Sequence, residues 1–287
     1  MSWDALDAEL AAVPGTVSVY AGRLGRRPGY TRLPDAPHYA ASTMKVAVLA
    51  ALHRAAETGE VKLGAAVPVV NEFESALPGA GRFSCAPDYD NDGAVWDRLG
   101  GTAPLGWLAE RMIVRSSNLA TNLVLGHVGL PAVAAVWAAS GARHSRTDRG
   151  IEDFAARDAG LDNQVTAADL ARLLGGIARS RLASPGACAG MLDVLLDQER
   201  SEDLVAGLPP GTRIAHKDGW VRGVRHGAGV VFPDDAPPYA VVVCTSAPPG
   251  GRSDPADDEE RDERARRLVT RISAEVWAAR HRLGTVG

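Results

Sequence analysis

The β-type segments of this chain lie near its two ends, and a long helical region separates them. Near the N-terminus, Thr16 to Ala21 and Tyr30 to Leu33 are short apolar runs on either side of a Gly/Arg/Pro turn. After Pro209-Pro210, three more runs follow, separated by turn residues: TRIAHKDGWV, HGAGVVF and YAVVVCTS. This pattern predicts one antiparallel sheet built from both ends of the chain, with the helical region inserted as a second lobe.

The predicted organisation is a discontinuous sheet subdomain, 1–41 with 206–287, and a helical subdomain, 42–205. A crevice between two such lobes is the usual place for a binding site. Apolar spacing predicts helices over 3–13, 42–59, 105–114, 119–128, 130–141, VTAADLARLLGGIA with Thr166 as its cap, 187–199 and about 258–281. An acidic loop, Asp254 to Glu260, leads into the last of these helices.

Composition excludes several classes of protein. The net charge of −4 argues against a nucleic-acid partner, and no run of residues approaches the roughly 18 apolar residues of a membrane span. The N-terminus, MSWDALDAELAAV, carries acids where a secretion signal needs a basic start, so we expect a cytoplasmic protein without a membrane partner. The odd, widely spaced cysteines are expected to be packing residues rather than disulfides: Cys85, Cys188 and Cys244.

The lysines stand out against the other basic residues. Only three of the 31 basic residues are lysines, namely Lys45, Lys62 and Lys217, and the rest are arginines. Lysine differs from arginine in losing its proton readily when buried. Lys45 also lies in the first turn of an apolar helix, where the helix dipole disfavours a cation. Both facts suggest that this lysine has a chemical role.

Three short motifs carry hydroxyl and amino groups in a consistent order. Ser42-Thr43-Met44-Lys45 places a hydroxyl and an amine three residues apart on one helix face, where a desolvated lysine can take the proton of a serine nucleophile. Ser116-Ser117-Asn118 opens the next apolar helix. Lys217-Asp218-Gly219 lies in a β-type run. Each motif alone has a structural interpretation: helix caps for the first two, and for the third an Asp-Gly turn that competes with a turn at Arg222-Gly223.

Together the motifs resemble the active-site-serine penicillin-recognising enzymes, the class A β-lactamases and their penicillin-binding relatives. The similarity covers most of the chain and is closest to the β-lactamase-related serine hydrolases; it includes ERMIVRSSNLATNLVLGHVG, GLDNQVTAADLARLL and HKDGWVRGVRHGAGVVF. It implies an α/β (α+β) fold: a five-stranded antiparallel sheet flanked by the terminal helices, plus an all-helical lobe. It implies a small-molecule acyl substrate and neither cofactor nor metal. The oligomeric state stays open.

The resemblance also implies a role for each residue. Ser42 attacks a carbonyl, Lys45 accepts its proton, and Ser116 passes that proton to the leaving group while Lys217 binds Ser116. The residues expected to contact the substrate are Asn118, Asp218, Gly219 and Trp220. The backbone N–H groups of Ser42 and Trp220 are expected to form the oxyanion hole, and His226 either reaches the substrate from the neighbouring strand or is a structural histidine.

The sequence departs from the family pattern at two motif positions. Ser117 replaces the aspartate of Ser-Asp-Asn, which we expect to be a mild change. Asp218 replaces the hydroxyl residue of Lys-Ser/Thr-Gly, which helps to bind the substrate carboxylate in β-lactamases. A carboxylate there would repel an anionic substrate by about 1 kcal/mol at 4 Å in water. We therefore expect a substrate that lacks the carboxylate or carries a positive charge.

A third departure concerns deacylation. Class A enzymes carry a glutamate in an Arg-x-Glu…Asn pattern, but TDRGIEDFAARDAGLDN offers Arg149 and Glu152 at a different spacing, without the downstream Asn. Glu152 is interpreted first as a solvated loop charge and second as the deacylation base. If water reacts poorly, the protein is a slow hydrolase or an acyltransferase rather than an efficient β-lactamase.

One candidate metal site and two other function classes remain beside the hydrolase interpretation. The DYDNDG segment matches the first half of a calcium loop through Asp88, Asp90 and Asp92, but Leu99 occupies the position of the bidentate glutamate, so an acidic surface loop is favoured. A non-catalytic ligand-binding module on the same fold is one other function class. A helical interaction scaffold, in which all three motifs are only caps and turns, is the least favoured.

Overall fold

The computed structural model describes residues 2–248 and 255–284. Its helices are α1 (Trp3–Ala11), α2 (Lys45–Glu57), α3 (Gly93–Trp96), α4 (Leu105–Val114), α5 (Asn118–Ala139), α6 (Phe154–Asp158), α7 (Ala167–Ala178), α8 (Pro185–Leu196) and α9 (Pro255–Ala278). Its strands are β1 (Thr16–Arg23), β2 (Tyr30–Arg32), β3 (His38–Tyr39), β4 (Ala66–Pro68), β5 (Phe73–Glu74), β6 (Arg82–Phe83), β7 (Thr102–Pro104), β8 (Gln164–Val165), β9 (Arg213–Val221), β10 (Val224–Phe232) and β11 (Tyr239–Ser246).

The main sheet joins the two ends of the chain, as the sequence predicts. Its order is β2-β1-β11-β10-β9, and all neighbouring strands are antiparallel. β1 pairs with β11 along its whole length, from Thr16 opposite Ser246 to Arg23 opposite Tyr239. The five-stranded sheet is confirmed, and β9 is left as one of its edges. The subdomain boundaries at 41 and 206 stay a prediction.

Each face of the sheet covers its own apolar core, because side chains alternate along a strand. On one face, Val19 and Val243 pack with residues of α1 and α9, including Leu6 and Ile272. On the other face, alternate residues of β10 and β11 pack against the helical region, chiefly α2, α4, α5 and α7. The sheet is therefore a middle layer, and its second face points toward the motif residues.

Helix α2 is apolar around almost its whole circumference, and other helices pack against it on several sides. Nine of its thirteen residues are buried, and Lys45 is the one charged residue among those nine. A 3-10 turn, Ala41–Met44, precedes the helix. The expectation that Ser42 or Thr43 caps this helix is wrong, since Thr43 donates its hydroxyl to the Ala40 carbonyl at 2.6 Å and no side-chain cap is formed.

Helix α5 combines two helices that the sequence predicts separately. They meet at a kink at Gly129, whose φ of 75° is left-handed, and Pro131 follows it. Helix α5 is long and apolar enough to meet the length and composition test for a membrane span, but half of its most apolar window is buried inside the protein, as in a core helix.

Other local predictions are resolved as follows. Chain reversal after β9 occurs at Arg222-Gly223, with Val221 opposite Val224, so Asp218-Gly219 lies inside a strand rather than in a turn. The cysteines are buried and free. Of the predicted acidic loop, Asp254 to Glu260, only Asp254 lies outside the described residues. The rest belongs to α9, which begins at Pro255, so the loop prediction is wrong there.

Candidate active site

Ser42 lies in the 3-10 turn before α2 and is partly exposed. Its hydroxyl makes no hydrogen bond within the described residues, so no cap or core contact uses it. Ala41, the residue before it, has a left-handed φ of 44°. Such a conformation costs on the order of 1–3 kcal/mol for a residue with a β-carbon, and it persists where the surroundings impose it.

Lys45 is completely buried and points toward the start of α5. Its Nζ lies 2.8 Å from the carbonyl oxygen of Ser116, 2.9 Å from Oδ1 of Asn118 and 3.3 Å from Oγ of Ser116. A neutral amine has two hydrogens and one lone pair. The two short contacts account for both hydrogens, and the lone pair remains available to accept a proton from a hydroxyl.

The protonation of Lys45 is set by its surroundings. Burial, followed by the positive charge of Lys217, lowers the pKa of Lys45 from 10.5 to about 7, although the carboxylate of Asp90 acts in the opposite direction. An ordinary lysine would be almost fully protonated at neutral pH. Here a large fraction is neutral, as a proton acceptor requires.

Ser116 and Asn118 are placed by the N-terminus of α5. Ser116 is buried and has a left-handed φ of 60°, and both its carbonyl and its hydroxyl face Lys45. Asn118 donates from Nδ2 to the carbonyl of Tyr89 at 2.8 Å, which orients its Oδ1 toward Lys45. The first two motifs therefore meet, as the sequence predicts.

Lys217 is also completely buried, on the sheet face that covers the 3-10 turn. Its Nζ donates to the carbonyl oxygen of Asp218 at 3.0 Å and to Oδ1 of Asp218 at 2.8 Å. The predicted hydrogen bond from Lys217 to Ser116 is absent from the described residues. The Lys217 ammonium is instead paired with the carboxylate of Asp218, the next residue. Its effect on Lys45 is electrostatic, because its positive charge lowers the pKa of Lys45.

The carboxylate of Asp218, which is predicted to repel an anionic substrate, is paired within the protein. Asp218 is buried between Lys217 and Arg200, whose Nε lies 3.8 Å from Oδ2. Burial alone would raise the pKa of Asp218, but the charges of Lys217 and Arg200 outweigh it and lower that pKa. Sequence reasoning missed Arg200, which packs over the Trp220 ring at 4.1 Å, because no local pattern links residue 200 to β9.

Gly219 and Trp220 lie where the edge strand β9 passes the 3-10 turn. A β-carbon at Gly219 would lie 2.9 Å from the backbone nitrogen of Ser42, so only glycine allows this approach. In an antiparallel pair, hydrogen-bonded and non-hydrogen-bonded positions alternate. The Val221–Val224 pair closes a two-residue hairpin and is hydrogen-bonded, so the next pair, Trp220–Arg225, is not. The Trp220 N–H therefore points away from β10, off the edge of the sheet.

Glu152 differs from the favoured prediction, because it is not a solvated loop charge. Its side chain is half-buried, Oε2 accepts the backbone N–H of Ala86 at 2.8 Å, and the buried Oε1 has no partner among the described residues. Burial raises the pKa of Glu152, partly offset by the Ala86 hydrogen bond and by the nearby Asn118 amide. Glu152 therefore lies beside a motif residue in a setting that favours holding a proton.

The loop that carries Glu152 is closed at its base by polar contacts. Arg149 pairs with Asp162 at 2.8 Å and lies over the Tyr39 ring, and Asn163 accepts the Arg149 backbone N–H. Asn122 of α5 accepts the backbone N–H of Ile151 and donates to its carbonyl. These contacts fix the residue before Glu152, so the loop holds a defined position.

The acidic segment before α3 supports α5 instead of forming a calcium loop. Asp90 Oδ2 accepts the Leu119 N–H at 2.8 Å and the Ser117 hydroxyl at 3.1 Å, while Asp92 pairs with Arg111. No group of three or more His, Cys, Asp or Glu side chains in 2–248 and 255–284 could hold a metal ion. Ser117 replaces the aspartate of the Ser-Asp-Asn motif, and Asp90, from another segment, places a carboxylate next to it.

His226 is a structural histidine, and the interpretation that it reaches the substrate is not supported. The ring is fully buried; Nδ1 accepts the Thr245 N–H at 3.2 Å, so Nε2 carries the hydrogen and donates to the Tyr39 carbonyl at 2.8 Å. Burial lowers the pKa of His226, which keeps it neutral. It ties β10 and β11 to the strand before Ser42.

Backbone strain is concentrated around these side chains. Six non-glycine residues in the described part of the chain have a positive φ, and three of them are Ala41, Ser116 and Glu152. Strained residues of this kind cluster where a structure holds reactive groups in place. Ser116, the two buried lysines and the half-buried Glu152 lie close together between the sheet and the helices, and Ser42 lies in the turn before Lys45.

Comparison with known structures shows which fold this is. PBP-A superimposes with a TM-score of 0.78 at 22% identity over 96% of this chain and 94% of its own. A beta-lactamase from Sphaerobacter thermophilus gives 0.75 at 26% identity, over 97% and 98%. A mutant of PBP-A, an acyl-enzyme complex with penicillin G, gives 0.75 at 23%, over 96% of each chain. No curated protein sequence matches the chain.

The fold is that of the penicillin-recognising serine enzymes. The sequence profile described as the beta-lactamase enzyme family matches residues 2–279. The chain belongs to this family, and its fold is that of a serine hydrolase.

Proposed function

We propose that this protein is a serine hydrolase that forms an acyl-enzyme on Ser42 from an ester, amide or β-lactam carbonyl. The observation that carries the proposal is the burial of Lys45 against Ser116 and Asn118, with a pKa of about 7. A buried lysine that serves stability alone would be unusual, because burying an ammonium is unfavourable. Lys62, the third lysine, is exposed.

The proposed reaction begins with attack of Ser42 Oγ on the carbonyl carbon. The Ser42 proton passes to the lone pair of Lys45, and the carbonyl oxygen gains its negative charge between the N–H groups of Ser42 and Trp220. Lys45 then returns the proton through the Ser116 hydroxyl, 3.3 Å away, to the leaving group. Catalytic hydrogen bonds are often long before substrate binds, so the free Ser42 hydroxyl is compatible with this sequence.

Mass spectrometry of the intact protein tests the nucleophile. After incubation with a fluorophosphonate, the wild type is expected to gain one adduct, mapped by peptide analysis to Ser42, and Ser42→Ala is expected to gain none. A panel of esters, amides and β-lactams then identifies the acyl group. Equal labelling or equal turnover by the wild type and Ser42→Ala would show that Ser42 is not the nucleophile.

Glu152 is proposed to activate the water that releases the acyl group. Its unpartnered Oε1 and its raised pKa, both described above, support a proton acceptor next to Asn118. Glu152→Gln keeps the shape and removes the base. Deacylation is expected to slow by about 10²-fold, because general-base catalysis contributes on that scale, and the acyl-enzyme should accumulate in intact mass spectra. Unchanged adduct lifetime would contradict this role.

The substrate is proposed to lack a free carboxylate beside the scissile bond. Asp218 forms an ion pair with Lys217 and, at a greater distance, with Arg200. The two cations beside strand β9 are therefore already paired. Asp218→Ser would release them. We expect this variant to raise kcat/KM for an anionic penicillin relative to its neutral ester by about tenfold, equivalent to about 1.4 kcal/mol. A wild-type preference of tenfold for the anionic substrate would refute the proposal.

Acyl transfer to another nucleophile is the second candidate function. No asparagine occurs between Glu152 and Asn163, and Asn163 accepts the backbone N–H of Arg149, so one polar group that could hold a water beside Glu152 is lacking. Product analysis in the presence of added amines separates the two functions: a transferase yields mainly the amide, and a hydrolase yields the acid. A ligand-binding module would give neither product and no adduct.

A further inference from the structure

One cavity of the described structure lies away from Ser42. It has a volume of about 590 Å³ and is bounded by the turn after β1, the end of α5, and α7 with the segment that follows it. The volume falls in the range of small-molecule sites, about 300–1,000 Å³. The N-terminal end of α7 follows β8, which pairs with β3 just before Ser42. The cavity borders the other end of this helix.

The lining of the cavity is strongly cationic. Five of its sixteen lining residues are arginines and none is acidic; the arginines are Arg23, Arg26, Arg172, Arg179 and Arg181. The chain as a whole carries a net charge of −4. The lining of this cavity is therefore positive in a protein that is negative overall. A concave wall of one charge concentrates counter-ions of the opposite charge.

Most of these guanidinium groups lack a carboxylate partner. Arg172 pairs with Asp169 at 2.5 Å, and Arg23 donates to the carbonyl of His281 while its buried Nε has no acceptor. Within 2–248 and 255–284, Arg26, Arg179 and Arg181 form no ion pair. At least three cations therefore face the cavity without a counter-charge from the described residues.

Arg179 is positioned without a carboxylate. Its guanidinium lies against Gly25, since a β-carbon at that residue would be 2.5 Å from Arg179 Cζ. Gly25 has a left-handed φ of 71°, so the turn after β1 favours glycine there as well. The turn at Gly25 and the end of α7 therefore hold the Arg179 guanidinium, a hydrogen-bond donor, at the wall of the cavity.

We propose that this cavity binds an oxyanion with two or more negative charges, a phosphate- or carboxylate-bearing small molecule. Arginine presents paired N–H donors that match both groups, and such charge-assisted bonds are strong. The unpartnered Nε of Arg23 provides a buried donor, and Arg26, Arg179 and Arg181 provide charge around it. The ligand would join the turn after β1 to the end of α7.

Isothermal titration of the full chain tests the proposal with two probes, inorganic pyrophosphate and citrate, at constant ionic strength set with sodium chloride. At least one probe is expected to bind saturably with one site per chain, and comparison of the two identifies the preferred oxyanion. Arg26→Ala and Arg179→Ala are each expected to raise Kd by about tenfold, as for loss of one charge-assisted contact, and the double variant should bind too weakly to measure.

The matched control is Arg27→Ala, which removes the same charge from the same turn but does not line the cavity. Its Kd is expected to stay within about twofold of the wild type, given that exposed charges are strongly screened. The proposal is overturned if neither probe binds saturably. It is also overturned if Arg27→Ala weakens binding as much as Arg26→Ala and Arg179→Ala, since diffuse surface charge would then explain the result.

Discussion

Replacement of Lys45 by methionine is expected to slow acylation of Ser42 by about 10³-fold or more. The change removes the proton acceptor while it keeps an unbranched side chain of similar length, and general-base catalysis contributes up to about 10⁴-fold. In the wild type, acylation should accelerate as pH rises through about 7, where Lys45 loses its proton. Stopped-flow or mass-detected acylation across pH 5–10 measures both effects.

The same substitution is expected to stabilise the fold. Below pH 7 the folded protein carries a buried ammonium at residue 45, which opposes folding by a few kcal/mol for a pKa lowered from 10.5 to about 7. Between pH 7 and 10.5 the unfolded chain binds more protons than the folded chain, so wild-type stability rises with pH in this window. Lys217, whose pKa is also lowered by burial, contributes in the same direction.

Denaturant unfolding at pH 6 and pH 9 tests this second effect. Lys45→Met should be more stable than the wild type at pH 6 and should show a smaller rise toward pH 9. Lys62→Met is the matched control, since Lys62 is exposed, and it should change neither acylation nor the pH dependence. A fully active Lys45→Met variant would remove Lys45 from the proposed reaction.

Gly219→Val is expected to lower kcat/KM by about 10²–10³-fold, the scale of losing one oxyanion donor. A β-carbon at residue 219 would lie 2.9 Å from the Ser42 nitrogen and 3.0 Å from the Thr43 nitrogen, and both are backbone atoms that cannot rotate away. The 3-10 turn must therefore shift, and the Ser42 N–H shifts with it. Valine suits a strand, so the sheet itself should tolerate the change.

The expected signature is a loss in kcat with retained circular dichroism and a cooperative unfolding transition. Gly126→Ala on α5 is the control, because a β-carbon there meets nothing within 4 Å. It should leave kcat unchanged. Normal turnover by Gly219→Val would mean that the turn can move without harm and that the Ser42 nitrogen is not a required donor.

The sequence predicts the layers of this fold well because they follow from local periodicity. Alternating apolar runs at 16–21 and 213–246 become strands whose two faces cover separate cores, and the apolar helix after Ser42 becomes the helix at the centre of the helical region. The exact helix start differs, since a 3-10 turn precedes Lys45. The N-cap preference of serine does not reveal that the Ser42 hydroxyl forms no cap here.

The candidate site is predicted less completely, because several contacts join segments that no local pattern connects. Ser42, Lys45 and Ser116 are found from spacing and order. Asp218 is identified as a departure, but its second partner beside Lys217 is Arg200, which approaches from a different segment. The environment of Glu152 is misjudged and the choice between two roles for His226 is left open for a related reason: their burial results from packing by distant segments, and burial determines how each behaves.

Pairing of β1 with β11 also has a consequence for the synthesis of the protein. Thr16 and Ser246, about 230 residues apart, are partners in the central ladder, so this ladder cannot form until the residues up to Ser246 have left the ribosome. At about 5–20 residues per second, that wait lasts on the order of 10–50 s. A nascent chain therefore contains Ser42 and Lys45 before β9, the strand that passes the 3-10 turn, has been made. The positive charge of Lys217 that helps to lower the pKa of Lys45 is added only when β9 is synthesised.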